Sequence, residues 1–346
     1  MSRNIYCNPK LVIDGIEIKS LTSANFKDTG NNKISILNAK FSEPDLENMS
    51  LFNKRVEYYL NYGSEDSCPL FRGYIKSYTS TDTNFTISAL DVRTLLSGRE
   101  AYPVVIDDKN NYDGQTISQF LIDVVDNQLE LDEGFSTSAT NDIDKPVYMT
   151  GYRGKTPVYQ VLTSALEKKL DEDDLLNPQS YFIDVIHEEN NSSIVFRKTV
   201  NEDSRTDLLL SYFDGIITLN FVERAAPSFI ICQTTDGEQV RLDYGNAPHG
   251  KVGFQYDGIY SSRGEAQEAL IPILLSKQDS ELDITVTTSK GHYVSLGNIV
   301  SLNVKDNKIA GSYRVTSKVV NYTGGTVSCV LTLNKVPINL SDYLSP

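Results

Sequence analysis

Along the first hundred residues, apolar side chains recur at every second position in short runs, the period of a half-buried strand. Leu11-Val12-Ile13 and Ile16-Glu17-Ile18 flank Asp14-Gly15, a dipeptide that favours a two-residue hairpin turn. Ile34 to Phe41 and Arg55 to Leu60 read as further strands. From Leu70 to Tyr78 the pattern puts Phe71, Gly73 and Ile75 on one face and Arg72, Tyr74 and Lys76 on the other. A polar turn over Thr81-Asp82-Thr83-Asn84 follows, and then Phe85, Ile87 and Ala89 alternate with Thr86, Ser88 and Leu90. Asp91 is placed to cap a short helix ending near Gly98. Several short strands in succession predict a small β-barrel or sandwich over residues 1–98.

The period changes over residues 99–200. Ile117, Phe120, Leu121, Val124, Val125 and Leu129 fall at helical spacing between Thr116 and Leu131. Val158, Val161, Leu162, Ala165, Leu166 and Leu170 mark a second helix, with Thr156 as its cap and Pro157 at its first position. A hairpin, Tyr181 to Ile186 and Ser193 to Arg197, turns at Glu188-Glu189-Asn190-Asn191, which completes an α/β middle domain. The polar link from Phe135 to Asp144 reads as mobile.

Strands return over residues 201–346: Ile216 to Val222, Ser228 to Gln233, Leu282 to Thr287, Ile299 to Val304, Tyr313 to Val320 and Thr326 to Leu333. One helix, Gly264 to Lys277, interrupts them, and Pro272 is expected to kink or shorten it. Asn321-Tyr322-Thr323-Gly324-Gly325 is a hairpin signal. The fold class is therefore α+β, mainly β: two similar small β-barrel domains, 1–98 and 201–346, with an α/β domain between them. No short-period repeat is visible, and the outer domains read as distant copies of one barrel.

Composition agrees with a turn-rich β protein: 20 Tyr and 13 Phe, no Trp, and 40% hydrophobic residues in 346. A net charge of −14 argues against specific nucleic-acid binding, which needs clustered Lys and Arg. It is compatible with DNA sliding past a repelling wall, or with simple solubility. Cys7, Cys68, Cys232 and Cys329 are scattered without a CxxC pair, which argues against zinc and suits a reducing cytoplasm. No signal-like core begins the chain, and no apolar run is long enough to cross a bilayer as a helix.

The sequence marks no residue as catalytic, cofactor-binding or metal-ligating. Gly154-Lys155-Thr156 matches the end of a P-loop, but Met149 stands where the first glycine belongs and Pro157 follows. Asp107, Asp108, Asn110, Asn111, Asp113 and Gly114 suggest a calcium loop, yet its register would make Lys109 the first ligand and Phe120 the last. The run Asp171 to Asp174 reads as a solvated acidic face. His187, His249 and His292 stand in no nucleophile motif. The sequons at Asn84, Asn191 and Asn321 read as chance.

Two stretches resemble the phage baseplate hub family, which includes the hubs of contractile-tailed phages and the N-terminal half of type VI secretion spikes. The first is Arg55-Val56-Glu57-Tyr58-Tyr59-Leu60, Leu70-Phe71-Arg72-Gly73-Tyr74-Ile75, then Phe85 to Asp91 and Leu95-Leu96. The second is the Ala266, Ala269, Leu270, Leu274 helix, the Leu282 to Thr287 strand, Leu296-Gly297-Asn298-Ile299-Val300, Gly311-Ser312-Tyr313-Arg314-Val315 and the final hairpin. The chain departs from the family at Ala225-Ala226-Pro227, where a hub strand runs without proline. The resemblance implies a non-enzymatic homotrimer whose six barrels form a pseudo-sixfold ring, joining a hexameric tail tube to a separate central spike or tail-tip protein. Baseplate or tape-measure proteins would be further partners, and DNA would pass through without specific binding or any membrane insertion by the chain itself. The implied place is the virion tail, after synthesis in the host cytoplasm. A receptor- or carbohydrate-binding tail module is the alternative, weakened by the absence of Trp, and a cell-wall-degrading tail enzyme is a third.

Overall fold

The structure is a computed structural model that describes residues 7–29, 33–43, 46, 49–61, 65–96, 103–104, 115–123, 135–137, 156–167, 181–198, 205–211, 215–223, 228–243, 253–278, 282–304 and 309–335. Its first segment holds seven strands: β1 (Lys10–Ile13), β2 (Ile16–Ile18), β3 (Ser20–Thr29), β4 (Ile36–Ser42), β5 (Arg55–Tyr59), β6 (Phe71–Thr81) and β7 (Asn84–Asp91). The β1–β2 turn is the expected tight one, with Asp14 and Gly15 both at positive φ (50° and 83°). Asp91 caps a 3₁₀ turn, Val92–Leu95, by accepting from the Arg93 backbone N–H.

The middle segment is built from β8 (Pro103–Val104), α1 (Ile117–Asp123), β9 (Phe135–Thr137), β10 (Thr156–Pro157), α2 (Val158–Glu167), β11 (Tyr181–His187) and β12 (Ser192–Lys198). Ile117, Phe120 and Leu121 of α1, and Val158, Val161 and Leu162 of α2, are buried as the helical spacing predicts. The expected continuation of α1 to Leu131 lies outside the described residues, as do Leu170 of α2 and most of the Phe135 to Asp144 link. Phe135 to Thr137 is not loop: it runs parallel to β12. Thr156 and Pro157 pair with Val104 and Pro103, so they precede α2 as ladder residues instead of opening it.

The last segment contains β13 (Arg205–Ser211), β14 (Ile216–Glu223), β15 (Phe229–Thr234), β16 (Gln239–Asp243), β17 (Gly253–Tyr260), α3 (Arg263–Gln278), β18 (Leu282–Thr288), β19 (Ile299–Asn303), β20 (Gly311–Thr323) and β21 (Thr326–Lys335). Helix α3 continues through Pro272 to Gln278, so the proline does not shorten it. The ring removes a single N–H, and the turns on either side keep their own bonds. Strands β16, β15 and β17 form a separate three-stranded sheet, with α3 closing over Ile230, Cys232 and Val240 through Ala266 and Leu270.

The main sheet has thirteen strands, in the order β14-β18-β21-β20-β3-β4-β7-β6-β5-β1-β2, with β19 and β13 continuing from β20. Two five-strand units are embedded in it, β3-β4-β7-β6-β5 and β14-β18-β21-β20-β19. Every pairing within both is antiparallel. Even their irregularities match. Thr22 and Ile217 are extra residues in the first ladder of each unit, and Lys76 and Thr316 in the fourth-strand hairpin ladder. Before β5 and before β19 stands the same tight turn. Lys54 N–H bonds to Leu51 O and Asn298 N–H to Ser295 O, both at 3.2 Å, with Asn53 and Gly297 both at positive φ.

In the first segment, β2 and β3 lie at the two ends of a seven-strand path yet are separated in sequence only by Lys19. That covalent link obliges the sheet to curl until its ends approach. The last segment repeats the device: β13 and β14 are the ends of its path, and Ser211 and Gly215 bridge them. The units meet where β3 pairs with β20, from Ser23↔Thr323 to Thr29↔Ser317. One apolar cluster runs through both, from Leu11, Phe26, Phe41, Tyr58 and Phe71 to Val286, Tyr313, Val320 and Leu331.

Gly73 is the tightest point of the first unit, held between Val56 on β5 and Asp91 on β7. A Cβ there would stand 2.1 Å from the Leu90 carbonyl oxygen and 2.8 Å from Asp91 Cα, both backbone atoms that cannot rotate away. Gly73→Ala is expected to destabilise the protein by about 3 kcal/mol, read as a lower midpoint in urea. An unchanged midpoint would show that β6 and β7 can separate freely.

Candidate functional site

The alternation that directs Phe71, Gly73 and Ile75 inward should leave Arg72 in solvent. Instead Arg72 is 1% exposed, because the β11–β12 hairpin lies over it. Its Nη1 donates to Ser192 Oγ at 2.9 Å, its Nη2 to the Glu189 carbonyl at 3.0 Å, and its Nε to Glu57 Oε1 at 2.8 Å. Glu57 also takes Arg55 Nη2 at 2.8 Å and the Tyr59 hydroxyl at 3.0 Å. Burial alone would raise the Glu57 carboxyl, but the hydrogen bond and charge of Arg72, with Tyr59 and Arg55, hold it below the ordinary carboxylate range.

Arg93 forms a second anchor one strand away. Its guanidinium grips both oxygens of Asp91, at 3.1 and 3.0 Å from Nε and 2.5 Å from Nη2. Nη1 reaches the Ile183 carbonyl on β11 at 2.7 Å, and Nη2 reaches Ser35 Oγ at 2.7 Å, which in turn donates to Asp28 on β3. Burial works against its charge, and the Asp91 carboxylate more than offsets that, so the guanidinium is held protonated. The Tyr159 N–H at the start of α2 adds a backbone tie to the Leu96 carbonyl at 2.7 Å. Two arginines from the first β unit thus fix the middle segment by its backbone carbonyls.

Ser192 also lies 2.8 Å from His187 Nδ1. Arg72 can only donate, so Ser192 accepts from it. Burial, the largest cause, pushes the His187 pKa down to about 4; Arg72 and Arg93 push the same way, and Asp91 and Glu57 oppose them. Ser192 is fully buried, so its hydroxyl is not presented to a substrate as a nucleophile.

Of the other sequence candidates, Gly154-Lys155, Asp107 to Gly114, Asp171 to Asp174 and His249 lie outside the described residues. His292 is half-buried beside Lys318, whose ammonium donates to the His292 and Val294 carbonyls at 3.3 and 2.7 Å. Among the described residues, no three His, Cys, Asp or Glu side chains stand together in a way that would hold a metal ion. No described helix is long and apolar enough to cross a membrane.

The last segment offers a different kind of site, an open edge. Among the described residues, β14 pairs with β18 alone and β13 with β19 alone, apart from the single Ser211–Gly215 bridge. Leu209, Ile217, Phe221 and Val222, four of the six large apolar residues exposed among the described ones, all lie on these two strands. Unpaired N–H and C=O groups beside exposed apolar side chains form a surface suited to strand addition.

Removing the Arg72 side chain takes away the donor to Ser192 and to the Glu188 and Glu189 carbonyls, and leaves Glu57 only Arg55 and Tyr59. Arg72→Leu is expected to cost about 3 kcal/mol and to raise amide hydrogen exchange first at residues 188–192; uniform exchange would show that Arg72 does not hold the hairpin. The depressed His187 pKa sets a pH window. Its contribution is complete above the ordinary 6.5, falls as the unfolded chain takes up the proton, and is lost by about pH 4. Stability should decline by up to about 3 kcal/mol across that window, and His187→Gln should flatten this part of the profile. A profile identical in both proteins would contradict the assignment.

No protein-family model matches the chain, and no curated protein matches it by sequence. Solved structures do. A tail protein from Neisseria meningitidis MC58 superposes with a TM-score of 0.66 at 9% identity, over 95% of this chain and 97% of the other. The 43 kDa tail protein of prophage MuSo2 from Shewanella oneidensis gives 0.66 at 11% identity, over 95% and 96%. A component of the E. coli type VI secretion system, described as structurally similar to the T4 bacteriophage tail proteins gp27 and gp5, gives 0.56 at 10% identity, over 95% and 77%. The chain carries the fold of these phage tail proteins, which the type VI secretion component shares.

Proposed function

We propose that the chain is the hub of a phage tail tip or related injection machine, a structural ring protein and not an enzyme. The observation that carries this reading is the presence of two five-strand units of the same strand order in one chain. Three chains would present six such units, so a homotrimer would have threefold symmetry for a central spike and pseudo-sixfold symmetry for a hexameric tail tube. In this reading residues 1–98 and 201–346 are the two barrel domains and 99–200 the peripheral α/β domain. The similarity of the E. coli type VI component to T4 gp27 and gp5 supports it. So does the net charge of −14, which suits a channel that DNA must leave as easily as it enters. The partners would be the tail tube, a spike or tip protein, and other baseplate or tape-measure proteins, all in the virion tail.

Light scattering with particle imaging of the same sample tests this. The expected particle has three times the 38.6 kDa of one chain, a central hole and a six-lobed outline. A chain that stays monomeric, and forms no ring with its tail tube protein, would overturn the hub.

A further inference from the structure

The two units share more than their strand order. Their first strands carry related short sequences, Leu21-Thr22-Ser23-Ala24-Asn25-Phe26-Lys27-Asp28 on β3 and Ile216-Ile217-Thr218-Leu219-Asn220-Phe221-Val222-Glu223 on β14, identical at the Asn-Phe pair and similar at the Leu/Ile, Ser/Thr and Asp/Glu positions. The bulges align the two: Thr22 matches Ile217, Asn25 matches Asn220 and Phe26 matches Phe221. The environments of the two copies differ sharply. Phe26 is 4% exposed, whereas Phe221 is 50% exposed. Phe26 is covered because β20 lies beside β3: Val320 stands opposite it, Asn321 Oδ1 accepts from Asn25 Nδ2 at 2.5 Å, and the Lys318 ammonium sits over its ring at 5.7 Å. Among the described residues, no strand takes that place beside β14.

The missing neighbour is identifiable from the same symmetry. The strand that covers β3 is the fourth of the second unit, β20; its first half pairs with β19 and its second half, after the Thr316 bulge, pairs with β3. The corresponding strand of the first unit is β6. Its first half pairs with β5, and its second half, after the Lys76 bulge, has β7 on one side and, among the described residues, no strand on the other. That half, Ser77-Tyr78-Thr79-Ser80-Thr81, is uncharged and mostly exposed. Each chain therefore holds one joint of the kind β3–β20, plus the two unmatched halves of a second joint.

We propose that β14 of one copy pairs antiparallel with the second half of β6 of the next copy, repeating between chains the joint that β3 and β20 make within one. Carrying the β3–β20 register across the aligned bulges sets Glu223 opposite Tyr78, Val222 opposite Thr79, Phe221 opposite Ser80 and Asn220 opposite Thr81. Phe221 is buried by this contact as Phe26 is by its own. The contact is head-to-tail, so it builds a closed ring or an open filament; only the number of chains in the ring rests on the hub reading.

The test is a cross-link in the full chain. Cys68, the exposed cysteine, is replaced by Ser, and Thr81→Cys is combined with Asn220→Cys. Mild oxidation should give covalent dimers and closed trimers on a non-reducing gel, while either substitution alone gives neither. Separately, Phe221→Asp should raise the concentration at half-assembly by about tenfold or more, with an unchanged melting temperature of the monomer, because the ring is already half in water. Trimers by light scattering without cross-linking, and with Phe221→Asp assembling normally, would overturn the joint and leave the hub standing. Monomers throughout, with and without the tail tube protein, would overturn both.

Discussion

The pairing of β3 with β20 is the constraint on which the rest of the fold depends. Seven residue pairs join the third strand of the chain to its second-last, so the joint cannot form until almost the whole sequence is in place. It turns two curled sheets into one and lets their apolar interiors merge into one cluster. Phe26 shows how closely the parts are coupled. It meets Phe71 of its own unit at 5.9 Å in an edge-on contact, and the Lys318 ammonium of the other unit approaches its ring. That ammonium is in turn anchored on the carbonyls of His292 and Val294, so the loop before β19 is fixed by the same joint. Contacts so distant in sequence carry a large loop-closure cost and predict slow folding.

The two units have diverged where their surroundings differ. Position 72 faces the middle segment and carries an arginine, which reads hairpin carbonyls and fills the space beneath them. The matching position on β20 is Ser312, which is exposed. Asp91 and Arg93 likewise serve the first unit, where Arg93 meets the Ile183 carbonyl of the middle segment. An arginine suits that role because its guanidinium offers a fixed fan of donors to carbonyls whose own lone pairs would otherwise be buried unmet.

The sequence made the local features legible. Asp14-Gly15 and Gly324-Gly325 both give tight hairpins with positive φ at both turn residues, because Asp and Gly accept that backbone at little cost. The buried faces of α1 and α2 follow from helical spacing. What stayed hidden depends on distance. Strand β3 buries only Ala24 and Phe26, since its edges are paired on both sides and its polar residues point outward, so no alternation announces it. Nor does the pattern along the sequence place a strand over β13, β16 or β17. The burial of Arg72 needed a hairpin more than a hundred residues away, and no pattern around position 72 encodes it. The likeness of the β3 and β14 sequences was in plain view, yet eight residues separated by most of the chain carry little weight until the bulges align them.

The edges themselves differ in a way that bears on assembly. A free edge invites unwanted pairing, and proteins guard against this with short strands, charge and proline. Strand β2 is guarded: it has three residues, and its Glu17 is exposed and paired with Lys10 at 3.3 Å. Strand β14 is not. It runs for eight residues with no charge from Ile216 to Val222 and keeps three large apolar side chains in water. The second half of β6 is as unprotected, with five small or aromatic uncharged residues in a row. An unguarded edge is a hazard if it stays open and an asset if a fixed partner covers it. Within one chain the fold closes the β3 edge and guards the β2 edge, and it leaves open the two edges whose sequence and bulges complement one another.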